Sequence, residues 1–126
     1  MAHFDEHCRD CERILGVRLE EVNRWVDAAF KKFGPRHRFN RHHWEGIRKA
    51  EELFGLEGRK AAMIHILKDC GHIPHAKDYE TGTVDVLGMA QGDGEVFGGY
   101  WDAKQFTETA KLYIENDDNN QSIFGS

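Results

Sequence analysis

A single, mainly helical domain built as a bundle is the fold this sequence predicts. Three observations predict it: apolar residues recur at helical spacing, glycines stand where the stripes stop, and 126 residues suffice for one core. Leu19, Val22, Val26, Ala29, Phe30 and Phe33 form one stripe, and Gly34 is placed to end it. Pro35 then suits the first turn of a new helix, where its missing N–H has no partner to lose. On that helix Phe39, His43, Ile47, Ala50 and Phe54 share a face, and Gly55 closes it. This reading turns His43 toward the core and leaves Arg38, His42 and Lys49 on adjacent faces. A further helix from about Arg59 to Asp69 buries Ala62, Met63, Ile66, Leu67 and Cys70 and stops at Gly71. An amphipathic segment from His3 to Leu15 completes the bundle.

The pattern changes after Pro74. Gly82, Gly88, Gly92, Gly94, Gly98 and Gly99 punctuate a segment near 80–101 that reads as irregular or as a β-hairpin. In the hairpin version Thr83 to Met89 pairs with Glu95 to Trp101 around Gly92-Asp93-Gly94. A last helix starts at Asp102, with Phe106, Ala110, Tyr113 and Ile114 on one side. The expected domain is 1–116, followed by a solvated tail over 117–126.

Composition places the chain among globular proteins, with 40% hydrophobic and 31% charged residues. No apolar run approaches the roughly 18–20 residues that span a bilayer, and the N-terminus lacks the pattern of a secretory signal. Cys8, Cys11 and Cys70 make an odd number, which fits a reducing compartment. A cytoplasmic protein without a membrane partner is expected. From Lys31 to Lys49 seven Lys/Arg face one Glu, whereas Asp78 to Asp102 holds six acidic residues and no Lys/Arg. Such a basic middle suits a phosphate-bearing ligand, or an internal match to the acidic segment.

Histidine is the strongest chemical signal. Arg36 to His43 packs three arginines and three histidines into eight residues, and five more histidines lie elsewhere. Imidazole is the commonest metal ligand and the usual proton carrier near neutral pH. His3 and His7 are four apart, as are His65 and Asp69, so each pair projects from one side of its helix. Helical bundles build metal sites from such inward pairs. With His37, His43 and the carboxylate of Asp27, the candidate ligands are His3, His7, Asp27, His37, His43, His65 and Asp69. A mixed imidazole and carboxylate set suits zinc, manganese, iron or nickel.

Other readings compete. Cys8-x-x-Cys11 with Cys70-Gly71-His72 has the parts of a zinc site. Arg38 and His43 have the Arg-x4-His spacing of certain all-helical, metal-free ribonucleases. Arg36, Arg38 and Arg41 at a helix start could bind a phosphate, with Trp25 or Trp44 stacking on a base. The glycine pairs lack the Lys and Ser/Thr of a phosphate-binding loop, and no G-x-S-x-G nucleophile is present.

The pattern Arg36-His37-Arg38, His42-His43, Gly46-Ile47, Phe54-Gly55 and His65-x3-Asp69-x-Gly71-x-Ile73-Pro74 resembles a family of small bacterial and phage proteins. That family is known as a domain of unknown function. Its two N-terminal histidines are matched by His3 and His7, and its Trp-x-Asp by Trp25 and Asp27. The resemblance spans about 3–75 and leaves out the cysteines. It implies no activity, but it singles out the same site residues.

Together these observations lead to the expectation of a divalent-metal site, with phosphoester hydrolysis as the candidate chemistry. Arg36 and Arg38 are the candidates for charge stabilisation and His42 for proton transfer. The substrate would be a phosphate-bearing small molecule or a nucleic acid. Two alternatives stay open. One is a non-catalytic, phage-type binding or inhibitor protein that captures such a ligand or docks on a partner protein; the other is a purely structural metal or His/Asp network.

Overall fold

The computed structural model describes residues 4–89 and 102–123, with side chains at all of these but 35, 36 and 118–123. Within them the chain is mainly helical, as expected. The order is α1 (Phe4–Leu15), α2 (Glu20–Val26), α3 (Phe30–Phe33), a 3-10 turn (Gly34–His37), α4 (Arg38–Arg41), α5 (Trp44–Cys70), α6 (Ala76–Thr81) and α7 (Ala103–Ile123). Helix α5 is the axis, and α1, α2 and α7 pack on it. Its second half, from Ala61 to Leu67, is almost wholly buried, and Val22, Val26, Ile47 and Phe106 close around it. Removing side chains of this size from water stabilises the fold by roughly 1.5–3 kcal/mol each. Among the described residues no helix is long and apolar enough to cross a membrane.

Several differences from the sequence expectation follow, and the first two shape the site. The first stripe is not one helix: α2 ends at Val26, and Asp27 is its C-cap, with φ −93° and ψ 5°. Phe30 and Phe33 consequently stay 42% and 38% exposed instead of joining the core. The periodicity is real, but the Asp27 carboxylate is drawn to buried imidazoles, and this tertiary pull overrides the local pattern.

The second difference is a break between α4 and α5. His42 adopts φ −84°, ψ 64°, and His43 is extended. His43 then acts as the N-cap of α5, its Nδ1 accepting from the Gly46 N–H at 2.9 Å. The Trp44 N–H donates to the Pro74 carbonyl, a contact from far along the chain. Gly46 is needed here, because a Cβ would run into the Arg41 carbonyl. The break turns His42 inward and takes His43 off the core stripe.

Gly55 does interrupt the helix, with φ 79° and ψ −169°, but the helix resumes at once, so α5 is kinked rather than ended. Gly71, in the left-handed conformation, ends it. The last differences follow Pro74. Helix α6, capped by His75, lies between Pro74 and the segment expected to be irregular, where no element was assigned. Thr83 to Met89 makes a tight turn held by the Asp85 carboxylate, and the expected hairpin partner at 95–101 lies outside the described residues. Helix α7 starts where predicted but runs on to Ile123, through most of the expected tail. Asp117 is buried and holds Arg59 by two 2.8 Å bonds, which fastens α7 to α5.

Candidate metal centre

Four side chains from three places in the fold converge on one point inside the bundle. Asp27 comes from the end of α2, His42 from the α4–α5 break, and His65 and Asp69 from one face of α5. One ligand atom from each lies within 4.8 Å of all the others. The Nε2 of His42 is 3.0 Å from Asp69 Oδ2 and 3.5 Å from Asp27 Oδ1. The Nε2 of His65 is 3.1 Å from Asp27 Oδ1 and 3.4 Å from Asp69 Oδ2. With bonds of roughly 2.0–2.2 Å, donors around a divalent ion sit about 3–3.5 Å apart, so these separations suit a shared ion.

Hydrogen-bond accounting sharpens the fit. The amide nitrogen of Asn23 donates to the carbonyls of Arg18 and Leu19, which fixes the orientation of the amide. Its Oδ1 therefore accepts from His65 Nδ1–H at 2.9 Å. In neutral His65 the lone pair is then on Nε2 and faces two carboxylate oxygens, which also only accept. Either a proton or a metal cation must sit among them. Metal-binding histidines regularly donate their other N–H to such an oxygen, which sets tautomer and ring angle. Asn23, fully buried between Val22 and Arg24, is a site residue that the sequence reading passed over. Its signal was a polar side chain four positions before Asp27, next to the buried stripe.

The electrostatics follow from burial among opposite charges. Burial opposes a charge on either carboxylate, but the surrounding imidazoles outweigh it and hold Asp27 and Asp69 below the usual carboxylate range. Burial also opposes a charge on His65, yet Asp27 and Asp69 raise its pKa to about 9. His42 goes the other way, to about 4, because burial dominates and charged His65 is close. Protonated His65 can therefore bridge Asp27 and Asp69 when no cation does.

Two further histidines adjoin the group. His37 places Nε2 2.8 Å from Asp27 Oδ1, and its Nδ1–H donates to the Gly34 carbonyl. His7, from α1, stacks on His65 with ring centroids 3.5 Å apart, and its Nε2 is 3.2 Å from Asp69 Oδ1. Of the predicted ligands, the structure thus brings together His7, Asp27, His37, His65 and Asp69. His42, read as a proton carrier, joins them. His43 lies apart, both ring nitrogens engaged with backbone at Gly46 and Phe39. His3 and the Arg36 side chain lie outside the described residues.

The arginines do other work than expected. Arg38 is buried and donates to the carbonyls of Asp69 and Leu87, at 3.0 and 2.7 Å. Arg41 donates to the Trp25 carbonyl and lies over its ring. Both guanidinium groups thus have backbone carbonyl partners, and the His43 ring nitrogens are engaged with backbone as well. The cysteines are also buried and free. Cys8 and Cys11 receive weak hydrogen bonds from Asn23, and Cys70 faces the Leu87 carbonyl. Among the described residues no cysteine belongs to a group of three or more potential metal ligands.

The fold and site define a small helical protein with a buried His/Asp cluster able to hold a metal ion. Residues 2–86 match the family described as Domain of unknown function (DUF6915), and the chain belongs to that family. No curated protein and no solved structure matches it. The family region contains every residue of the cluster, whereas α7 lies beyond it.

Proposed function

We propose that the protein is a divalent-metal protein whose centre supports hydrolysis of a phosphoester. The observation that carries the proposal is the convergence of Asp27, His42, His65 and Asp69 within 4.8 Å. Zinc, manganese, iron and nickel all accept such a donor set. The side chains of His42, His65 and Asp69 are at most 1% exposed, while that of Asp27 is 28% exposed. The cluster therefore has one wet edge, at Asp27, where a water and a phosphoester oxygen can approach. A divalent ion in such a site lowers the pKa of a bound water and polarises the phosphorus centre. His65 is held by Asn23 and Asp27 by His37, so the donors are pre-oriented.

Elemental analysis of the purified, tag-free chain, followed by assays on phosphomono- and phosphodiesters with and without chelator, tests this reading. About one bound transition-metal ion, chelator-sensitive hydrolysis, and loss of both in Asp69→Ala are expected. Absence of metal under every loading condition excludes the centre. A second reading, a structural metal, is favoured by the backbone engagement of Arg38 and Arg41. Metal that raises the melting temperature without any hydrolysis would select it.

A further inference from the structure

Arg38 supplies no donor atom to the group of four, yet it puts a positive charge beside it. The side chain is only 4% exposed and reaches Asp69 from α4. Its Nη1 donates to the carbonyls of Asp69 and Leu87, and its Nε is buried without a hydrogen-bond partner. Its Nη2 stands 3.9 Å from Asp69 Oδ1, too far for a hydrogen bond. Among the described residues no other carboxylate lies at ion-pair distance from Arg38. Asp85, in the turn that carries Leu87, spends its Oδ1 on the N–H groups of Leu87 and Met89. A guanidinium keeps its charge throughout the pH range of folded proteins, and a buried charge without a hydrogen-bonded counter-ion is costly.

On the metal reading above, the charges can be counted. A divalent ion brings two positive charges, and the carboxylates of Asp27 and Asp69 cancel both. His42 and His65 give their lone pairs to the ion and stay neutral. His7 and His37 adjoin the group and add no negative charge. The charge of Arg38 is left over, so the loaded centre is positive inside a wall that excludes water. We propose that this surplus selects the ligand at the Asp27 edge as an oxyanion of the phosphate class, bound to the ion and balanced by Arg38. The guanidinium need not touch the ligand, because Coulomb attraction is weakly screened where water is excluded. Without Arg38 the ion and the carboxylates would balance, and the edge would have no preference for an anion over neutral water.

Titration of inorganic phosphate into the cobalt(II)-loaded full chain, read by visible absorption and calorimetry, tests the proposal. The unaltered loaded chain should bind one phosphate with a change in its cobalt bands, and the metal-free chain should bind none. Arg38→Met, with its fold checked by circular dichroism, should still take up cobalt but bind phosphate at least about tenfold more weakly. Arg38→Lys keeps the charge and should recover most of that affinity. Unchanged phosphate affinity in folded, loaded Arg38→Met, or an Arg38→Lys chain as weak as Arg38→Met, would overturn the role of Arg38. The unaltered chain gives a check that needs no variant. Cobalt bands that ignore phosphate, or phosphate bound equally without metal, would overturn the oxyanion ligand while leaving the metal centre standing. No cobalt uptake by the unaltered chain would overturn both.

Discussion

The tautomer of one histidine governs the site. His65 Nδ1–H is committed to Asn23, so its Nε2 is available only as a lone pair or as a second N–H. Asn23→Ala should therefore weaken metal binding about 10- to 100-fold although Asn23 touches no ion. Competition with a coloured chelator measures this, and an unchanged affinity would remove Asn23 from the argument. Thiol chemistry gives an independent check on the packing behind the site. Burial pushes Cys11 up to about 11 and Cys70 up to about 12. At pH 8 both should react with a maleimide far more slowly in the native chain than in denaturant; equal rates would mean that the α1–α2 contact is open. Single residues also mark the limit of sequence reading. That His65 and Asp69 share a face is legible from their spacing. Which of two adjacent histidines turns inward is not, because the break that decides it depends on the Pro74 carbonyl and on Gly46 fitting against Arg41.

At the level of elements, local signals succeeded where they acted alone. The ends of α1 and α5 and the start of α7 follow from apolar period and glycine placement. They failed where a partner elsewhere in the fold competes, at Asp27 and at His42-His43, and both failures fall on the His/Asp cluster. Gly55 allows a test within one element. Its φ of 79° with ψ near −169° is a region open essentially to glycine alone, and no atom would crowd an added Cβ. Gly55→Ala should thus destabilise the protein by about 1–3 kcal/mol through the backbone alone, as read from urea unfolding. A neutral result would mean that the kink relaxes without cost.

For the whole molecule, α7 lies outside the family region yet closes the core with Phe106 and Ala110. The Arg59–Asp117 pair, with side chains only 12% and 9% exposed, fixes its far half. Removing Asp117 leaves Arg59 its 3.0 Å bond to Glu51 but two hydrogen bonds fewer, so Asp117→Ala should cost about 1.5–3 kcal/mol. Thermal unfolding of Asp117→Ala beside Arg59→Leu/Asp117→Leu separates the pair from its burial; equal stability of all three chains would show that α7 is held by its apolar face.

The cluster also bears on how the chain folds. Its donors stand at positions 27, 42, 65 and 69, so all four meet only after α2 and the α4–α5 break have docked on α5. An ion that needs the assembled set has little to grip in a half-formed transition state. Metal should then slow unfolding and leave the refolding rate nearly unchanged, a difference that stopped-flow experiments with and without chelator can resolve. The site would act as a latch on the finished molecule: it would set how long the native state lasts, and not how fast it is reached.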